Sequence, residues 1–236
     1  MNALYRFAFF IVILFSFIIS AQSQPVMGFQ GGINASALSG STSYDENKLR
    51  IGIHAYVFTD IPLGHNSIVS IETGLCYSQQ GANHVKTTTT IGYKTETKYR
   101  DKLNYLVLPI YLKENYSNFY TKIGPYAAYL LSAEQKMKIQ ETKANVLLPD
   151  STAYNENYAQ NVSKYDMGLS FGFGFIHFFD PVRGRRRNRK KGTPIMQVDF
   201  KYNMGLIKLD PTGKIPDMSL RNNTFSIGLS FTSVKN

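Results

Sequence analysis

The chain has no tryptophan, one cysteine and few charges, and each shortage removes a class of protein. A single thiol, Cys76, allows no intramolecular disulfide and no thiolate metal cluster. The four histidines, His54, His65, His84 and His177, are scattered without metal-ligand spacing. Long apolar runs are also missing. A helical membrane bundle needs several stretches of about 20 apolar residues, and only one such stretch exists, at the extreme N-terminus. Charged residues are 18% of the 236, against a usual share of roughly 25%. What is abundant is aromatic: 16 Tyr and 16 Phe make 14% of the chain, yet mean hydropathy is only -0.20.

The formal charge of +10 is local rather than general. Arg183, Arg185, Arg186, Arg187, Arg189, Lys190 and Lys191 fall between Pro181 and Gly192 with no acid among them. The N-terminus argues against reading this run as a nucleic-acid signal. Residues 1–23 hold one cation, Arg6, then a mostly apolar run from Phe7 to Ile19, then small and polar residues around Ala21 and Ser23. This is the three-part build of a cleaved secretory signal peptide, with 24–236 as the mature domain. An uncleaved anchor is the competing reading, but the run is short for a bilayer span. No cysteine lies near the cleavage region to carry a lipid.

Beyond the signal the dominant pattern has period two. Phe225, Ile227, Leu229 and Phe231 alternate with Thr224, Ser226, Gly228 and Ser230, and Met167, Leu169, Phe171, Phe173 and Phe175 alternate with Gly168, Ser170, Gly172 and Gly174. Leu49–Val57, Val69–Tyr77 and Met196–Leu206 follow the same rule, and Val26–Ser36, Leu103–Leu112 and Asn118–Leu131 do so less cleanly. Ser132–Lys143 reads as a polar helix or as a strand end and loop. Eight strands of about ten residues, with large apolar groups on one face and small or polar groups on the other, are the expected build of an eight-stranded antiparallel up-and-down transmembrane β-barrel. A soluble β-sandwich would carry many more charges on its outer face.

The links between strands test this independently. Those after the odd strands, 37–48, 79–102, 132–163 and 207–220, are long, and two of the three after even strands, 60–66 and 113–117, are short. A barrel with both termini in the periplasm has long outer loops and short inner turns. The exception is 179–193, which holds the basic run and so becomes a basic periplasmic turn. Seven cations there suit anionic headgroups or an acidic periplasmic partner.

With the segments placed, the chain resembles the PorT-like outer-membrane β-barrel family of Bacteroidota. The resemblance rests on GFQGGINAS at Gly28–Ser36, IETGLCYSQQGA at Ile71–Ala82, NYLVLPIYLK at Asn104–Lys113, IGPYAAYLL at Ile123–Leu131, YDMGLSFGFGF at Tyr165–Phe175, KYNMGL at Lys201–Leu206 and the closing NNTFSIGLSF. It implies residence in the outer membrane. It also implies, for some members, a role as an accessory of type IX protein secretion and gliding, with secretion-system proteins as partners. The C-terminal strand resembles the signal read by outer-membrane assembly machinery, with Ser226, Gly228 and Phe231 in matching positions, although five residues follow Phe231.

An eight-stranded barrel has an interior just wide enough for side chains to fill. The alternation points Arg50, His54, Glu72, Lys122, Asp199 and Lys201 inward, where they either pair in a plugged lumen or form a proton or ion path. Catalysis is not expected: His84 is the one histidine in a long outer link, and nothing near it suggests a triad. The glycines of GFGF lie at period two in a strand, which suits close packing inside the barrel rather than phosphate binding. The expected role is structural or interactive, in contact with outer-membrane lipid. Neither cofactor nor nucleic acid belongs to it.

Overall fold

The computed structural model describes residues 25–40, 45–64, 68–91, 93–143, 146–155, 158–178, 194–209 and 220–233. They form eleven strands and one short helix: β1 (Val26–Ser39), β2 (Glu46–Pro62), β3 (Val69–Gln80), β4 (Ala82–Thr90), β5 (Tyr93–Asn115), β6 (Phe119–Lys143), β7 (Val146–Leu147), β8 (Ser151–Tyr154), α1 (Tyr158–Asn161), β9 (Tyr165–Phe178), β10 (Pro194–Gly205) and β11 (Arg221–Ser233). Eight of the strands close a ring in the order β1, β2, β3, β5, β6, β9, β10, β11, with β11 returning to β1. Every pairing is antiparallel. The seam sets Phe29 opposite Phe231 and Ile33 opposite Ile227, so the lipid-facing rows run unbroken across the junction of the two chain ends.

Period-two alternation decides which way each side chain faces. Phe171, Phe173, Phe175, Ile227 and Leu229 are exposed outward, whereas Ser170, Ser226 and Ser230 are buried. Large apolar groups on the outside and polar groups inside invert the pattern of a soluble domain, and suit a wall standing in hydrocarbon. Aromatic rings mark both ends of this wall. Tyr129 packs edge-on against Tyr165 at 5.5 Å at one end, and Tyr116 stacks on Phe119 at 4.4 Å at the other. Closure also leaves no open strand edge within the wall, a requirement where no water can satisfy the backbone.

The strands outrun the bilayer. A spanning strand needs about 9–11 residues, but β5 has 23 and β6 has 25. The link 79–102 is therefore not a loop. β3 and β4 are one strand interrupted at Gly81, and β4 pairs with β5 from Asn83↔Arg100 to Thr90↔Tyr93. Gly81 holds φ at +133°, and a Cβ there would lie 2.1 Å from the Asp101 carbonyl oxygen, so both the turn of the chain and the neighbouring strand require glycine. Ser132–Lys143 is strand rather than helix, because β5 lies alongside and supplies a partner for every residue from Ala133 to Lys143. A register shift between Asn104 and Tyr105 leaves Leu131 as the extra residue of β6, and marks where the barrel wall becomes a projecting sheet of β4, β5, β6 and β8. The start of β1 and the end of β11 lie at the opposite, short-turn end, where β2, β3, β5 and β6 turn back.

Candidate functional site

The lumen is filled by inward residues that meet in three layers. The layer nearest the short turns is a ladder of charge. Asp60 on β2 lies opposite Glu72 on β3, and Lys113 on β5 lies opposite Lys122 on β6, so two acids face two lysines across the lumen. Lys113 Nζ donates to Asp60 Oδ2 at 2.9 Å and Glu72 Oε2 at 3.0 Å, and Lys122 Nζ donates to Glu72 Oε1 at 2.9 Å. The same ammonium lies 2.6 Å from Asp199 Oδ2, to which Tyr120 Oη also donates at 2.5 Å. Lys201 ends the row 4.0 Å from Asp199 Oδ1 and donates to Gln30 Oε1 at 2.7 Å. Three cations and three anions alternate, so the ladder is neutral, and each group except Asp60 is almost wholly shielded. Burial of single ions at this cost in desolvation is tolerable only because each has a partner.

Aromatic rings and missing side chains complete the layer. Lys113 sits 4.3 Å from the Tyr120 ring centroid, Lys122 sits 4.9 Å from that of Tyr111, and Lys201 sits 5.1 Å from that of Tyr56. Gly172 and Gly174 on β9 make the room: a Cβ at 174 would come within 2.4 Å of the Tyr120 ring, and one at 172 within 3.1 Å of the Lys122 chain. The GFGF glycines thus act by close packing, as their spacing predicts.

A layer built on amide and hydroxyl hydrogen bonds lies above. Asn34 is its hub, donating from Nδ2 to Ser78 Oγ at 2.9 Å and the Gln79 carbonyl at 3.1 Å, while its Oδ1 accepts from Ser226 Oγ at 2.8 Å and lies 2.8 Å from His54 Nδ1. Arg50 Nη1 donates to the Gln80 carbonyl at 2.8 Å. Between the two layers lies a cavity of about 20 Å³ lined by His54, Tyr56, Cys76, Tyr111 and Lys201 among others, room for about one water. The third layer closes the far mouth: Leu103, Tyr105, Tyr126 and Leu130 of the wall cluster with Tyr158 and Val162 at α1 and with Leu209 and Leu220 of the last long link. His84 belongs to this end, with Nε2 3.3 Å from Asp101 Oδ2, which shares its carboxylate with Gln135.

Of the six predicted lumen charges, all are buried. Glu72, Lys122, Asp199 and Lys201 are brought together, whereas Arg50 and His54 bind a carbonyl and an amide instead of acids. Lys113 and Asp60 are the members that the sequence reading missed, because both were assigned to links. Lys113 keeps the inward parity of Tyr105, Val107 and Tyr111, so carrying the alternation past the last apolar residue finds it. Ser226 and Gly228 face the lumen and Phe231 faces out, 5.5 Å from Phe29. Residues 1–23 and Arg183, Arg185, Arg186, Arg187, Arg189, Lys190 and Lys191 lie outside the described residues. Among the described residues no group of His, Cys, Asp and Glu has the arrangement to hold a metal ion.

A closed ring of antiparallel strands, apolar outside, girdled by aromatics and packed with paired charges inside, defines an eight-stranded transmembrane β-barrel of the outer-membrane class. The chain belongs to the outer membrane protein beta-barrel domain family, whose model matches residues 20–210. Solved structures similar to it include Ail, the attachment invasion locus protein of Yersinia pestis, at 11% identity and TM-score 0.32, covering 89% of this chain and 99% of that one. Neisserial surface protein A matches at 8% and 0.35, covering 88% and 98%. OprG of Pseudomonas aeruginosa matches at 11% and 0.33, covering 88% and 95%. No curated protein matches the sequence.

Proposed function

We propose that this chain is exported by a signal peptide in residues 1–23 and works in the outer membrane as a closed structural or interaction protein, neither a diffusion pore nor an enzyme. The filled lumen carries this reading. A solute crossing the barrel would have to separate Glu72 from both lysines that hold it and then displace the apolar cluster at the far mouth, and a buried pair broken on one side costs about 3–5 kcal/mol. The short-turn end, with the start of β1 and the end of β11, faces the periplasm in this reading, and the β4–β5–β6 sheet projects outside the cell. Ser226, Gly228 and Phe231 present the assembly signal, and the cations from Arg183 to Lys191 await an anionic periplasmic partner.

Purified protein folded into planar bilayers tests it: a membrane with no stepwise conductance is expected, and open-channel steps would overturn the reading. The motifs shared with PorT-like barrels support a second reading, an accessory of type IX secretion. Deleting the gene and measuring secreted protein and gliding separates the two, since only the second expects a loss.

A further inference from the structure

The alternation that coats the barrel with apolar groups does not stop where the barrel does. Along β5 the lipid-facing row is Leu112, Ile110, Leu108 and Leu106, and beyond the register shift the same side of the strand carries Lys102, Arg100, Lys98, Glu96 and Lys94. On β6 the matching positions are Glu134, Lys136 and Lys138, then Gln140 and Thr142. The opposite, axis-facing side of β5 is Tyr93, Thr95, Thr97, Tyr99 and Asp101. Six cations against two acids thus share one face of two paired strands.

Pairing makes the segregation sharper. Arg100 lies directly opposite Lys136 and Lys98 directly opposite Lys138, two successive cross-strand pairs of like charge, an arrangement that repels. Part of the charge is answered nearby. Lys98 reaches Glu96 at 3.1 Å, Lys102 reaches Glu134 at 3.7 Å, and Lys138 meets Asp150 at 2.5 Å, a hydrogen bond that holds the Asp150 carboxyl below its ordinary value. Arg100 and Lys136 have no carboxylate within salt-bridge distance among the described residues, and Lys136 rests only over the Tyr154 ring at 5.7 Å. All four paired cations are exposed.

Height decides what could answer them. Leu106, Tyr129 and Tyr165 are in register; exposed apolar groups continue to Leu131 on β6 and to Leu49 on β2, and on β5 they end at Leu106. Arg100 is six residues further along β5, about 20 Å of strand, or about 15 Å of height at the tilt of a barrel strand. Phospholipid headgroups rise only about 5–8 Å above the acyl chains, so they meet the lower part of this face, and Lys98 and Lys138, two residues further out, stand above them. A glycolipid with phosphorylated sugars stands higher, and it meets this face because the face continues the lipid-facing side of the wall. We propose that Lys98, Arg100, Lys136 and Lys138 bind the sugar phosphates of the outer-leaflet glycolipid that surrounds the barrel. The proposal rests on the orientation given under Proposed function.

The test uses the full-length mature protein in detergent, titrated with purified phosphorylated outer-membrane glycolipid bearing its core sugars, with its dephosphorylated form, and with soluble polyphosphate. Lys98→Gln, Arg100→Gln, Lys136→Gln and Lys138→Gln together should weaken binding of the phosphorylated glycolipid roughly tenfold or more, and the pair Arg100→Gln with Lys136→Gln should give a smaller loss in the same direction. Lys86→Gln with Lys143→Gln removes charge from the opposite face and should leave the affinity unchanged. Heat-dependent gel mobility confirms that each variant is folded. Equal binding by the fourfold variant, or equal binding of the dephosphorylated glycolipid, overturns the proposal, and polyphosphate binding as tightly as the glycolipid would make a soluble polyanion the ligand instead. Labelling of Thr88→Cys on whole cells with an impermeant maleimide reads the orientation separately, against a buried Cys76.

Discussion

Two sets of lysines in this protein obey opposite rules. In the lumen, Lys113, Lys122 and Lys201 are buried, held by acids and stacked over tyrosine rings. In the projecting sheet, Lys98, Lys136 and Lys138 are exposed and placed beside other cations. The same residue type is fixed by desolvation in one place and by solvent in the other. A buried ammonium cannot do without its partner, because no water is there to replace it, whereas an exposed one is screened and gains little from pairing. Charge inside the barrel is thus a matter of stability, and charge above it is free to serve recognition.

Substitutions at four positions break or sharpen this contrast. Glu72→Ala removes the acid shared by Lys113 and Lys122 and should lower stability most, by about 3–5 kcal/mol, measured by guanidinium unfolding from detergent micelles; an effect below 1 kcal/mol would mean that water replaces the carboxylate. Gly81→Ala forces a side chain onto the positive φ where barrel wall becomes projecting sheet, and should cost roughly 1–3 kcal/mol in the same measurement. If the projecting sheet unfolds on its own, backbone amide exchange in β4 should quicken while the lumen stays protected. Lys136→Glu converts a like-charge pair with Arg100 into an opposite one, and should stabilise the sheet by roughly 0.2–1 kcal/mol; any destabilisation would show that the repulsion is not real. Glu96→Gln, which removes the half-buried partner of Lys98, should change stability least, by under about 0.5 kcal/mol, and a larger loss would erase the distinction between the two regions.

The barrel was legible in the sequence because period two is a direct consequence of strand geometry, and the apolar face of Met167–Phe175 or Thr224–Phe231 announces it without any knowledge of partners. The inward charges followed from the same parity, and four of the six meet. What escaped was alternation without apolar residues. Lys94–Lys102 alternates too, but with charged side chains on one face and Thr, Tyr and Asp101 on the other, so hydrophobicity alone gave it the look of a loop. Ser132–Lys143 has the composition of a helix and becomes a strand because β5 is there to pair with it, a tertiary fact that local propensity does not contain. The extra residue at Leu131 reverses the parity of everything after it in β6, and no single-strand pattern reveals such a shift.

The seam between β1 and β11 has a consequence in time. Gln30 and Lys201 are 171 residues apart and Asn34 and Ser226 are 192 apart, yet they share hydrogen bonds across the junction. These links cannot form until the last strand has arrived, and contacts so distant along the chain make for slow formation. Up to that moment the first and last strands each carry an unsatisfied edge that hydrocarbon does not tolerate. Insertion and sealing are therefore one event, and a chain shortened before β11 has no stable half-finished state in the membrane in which to wait.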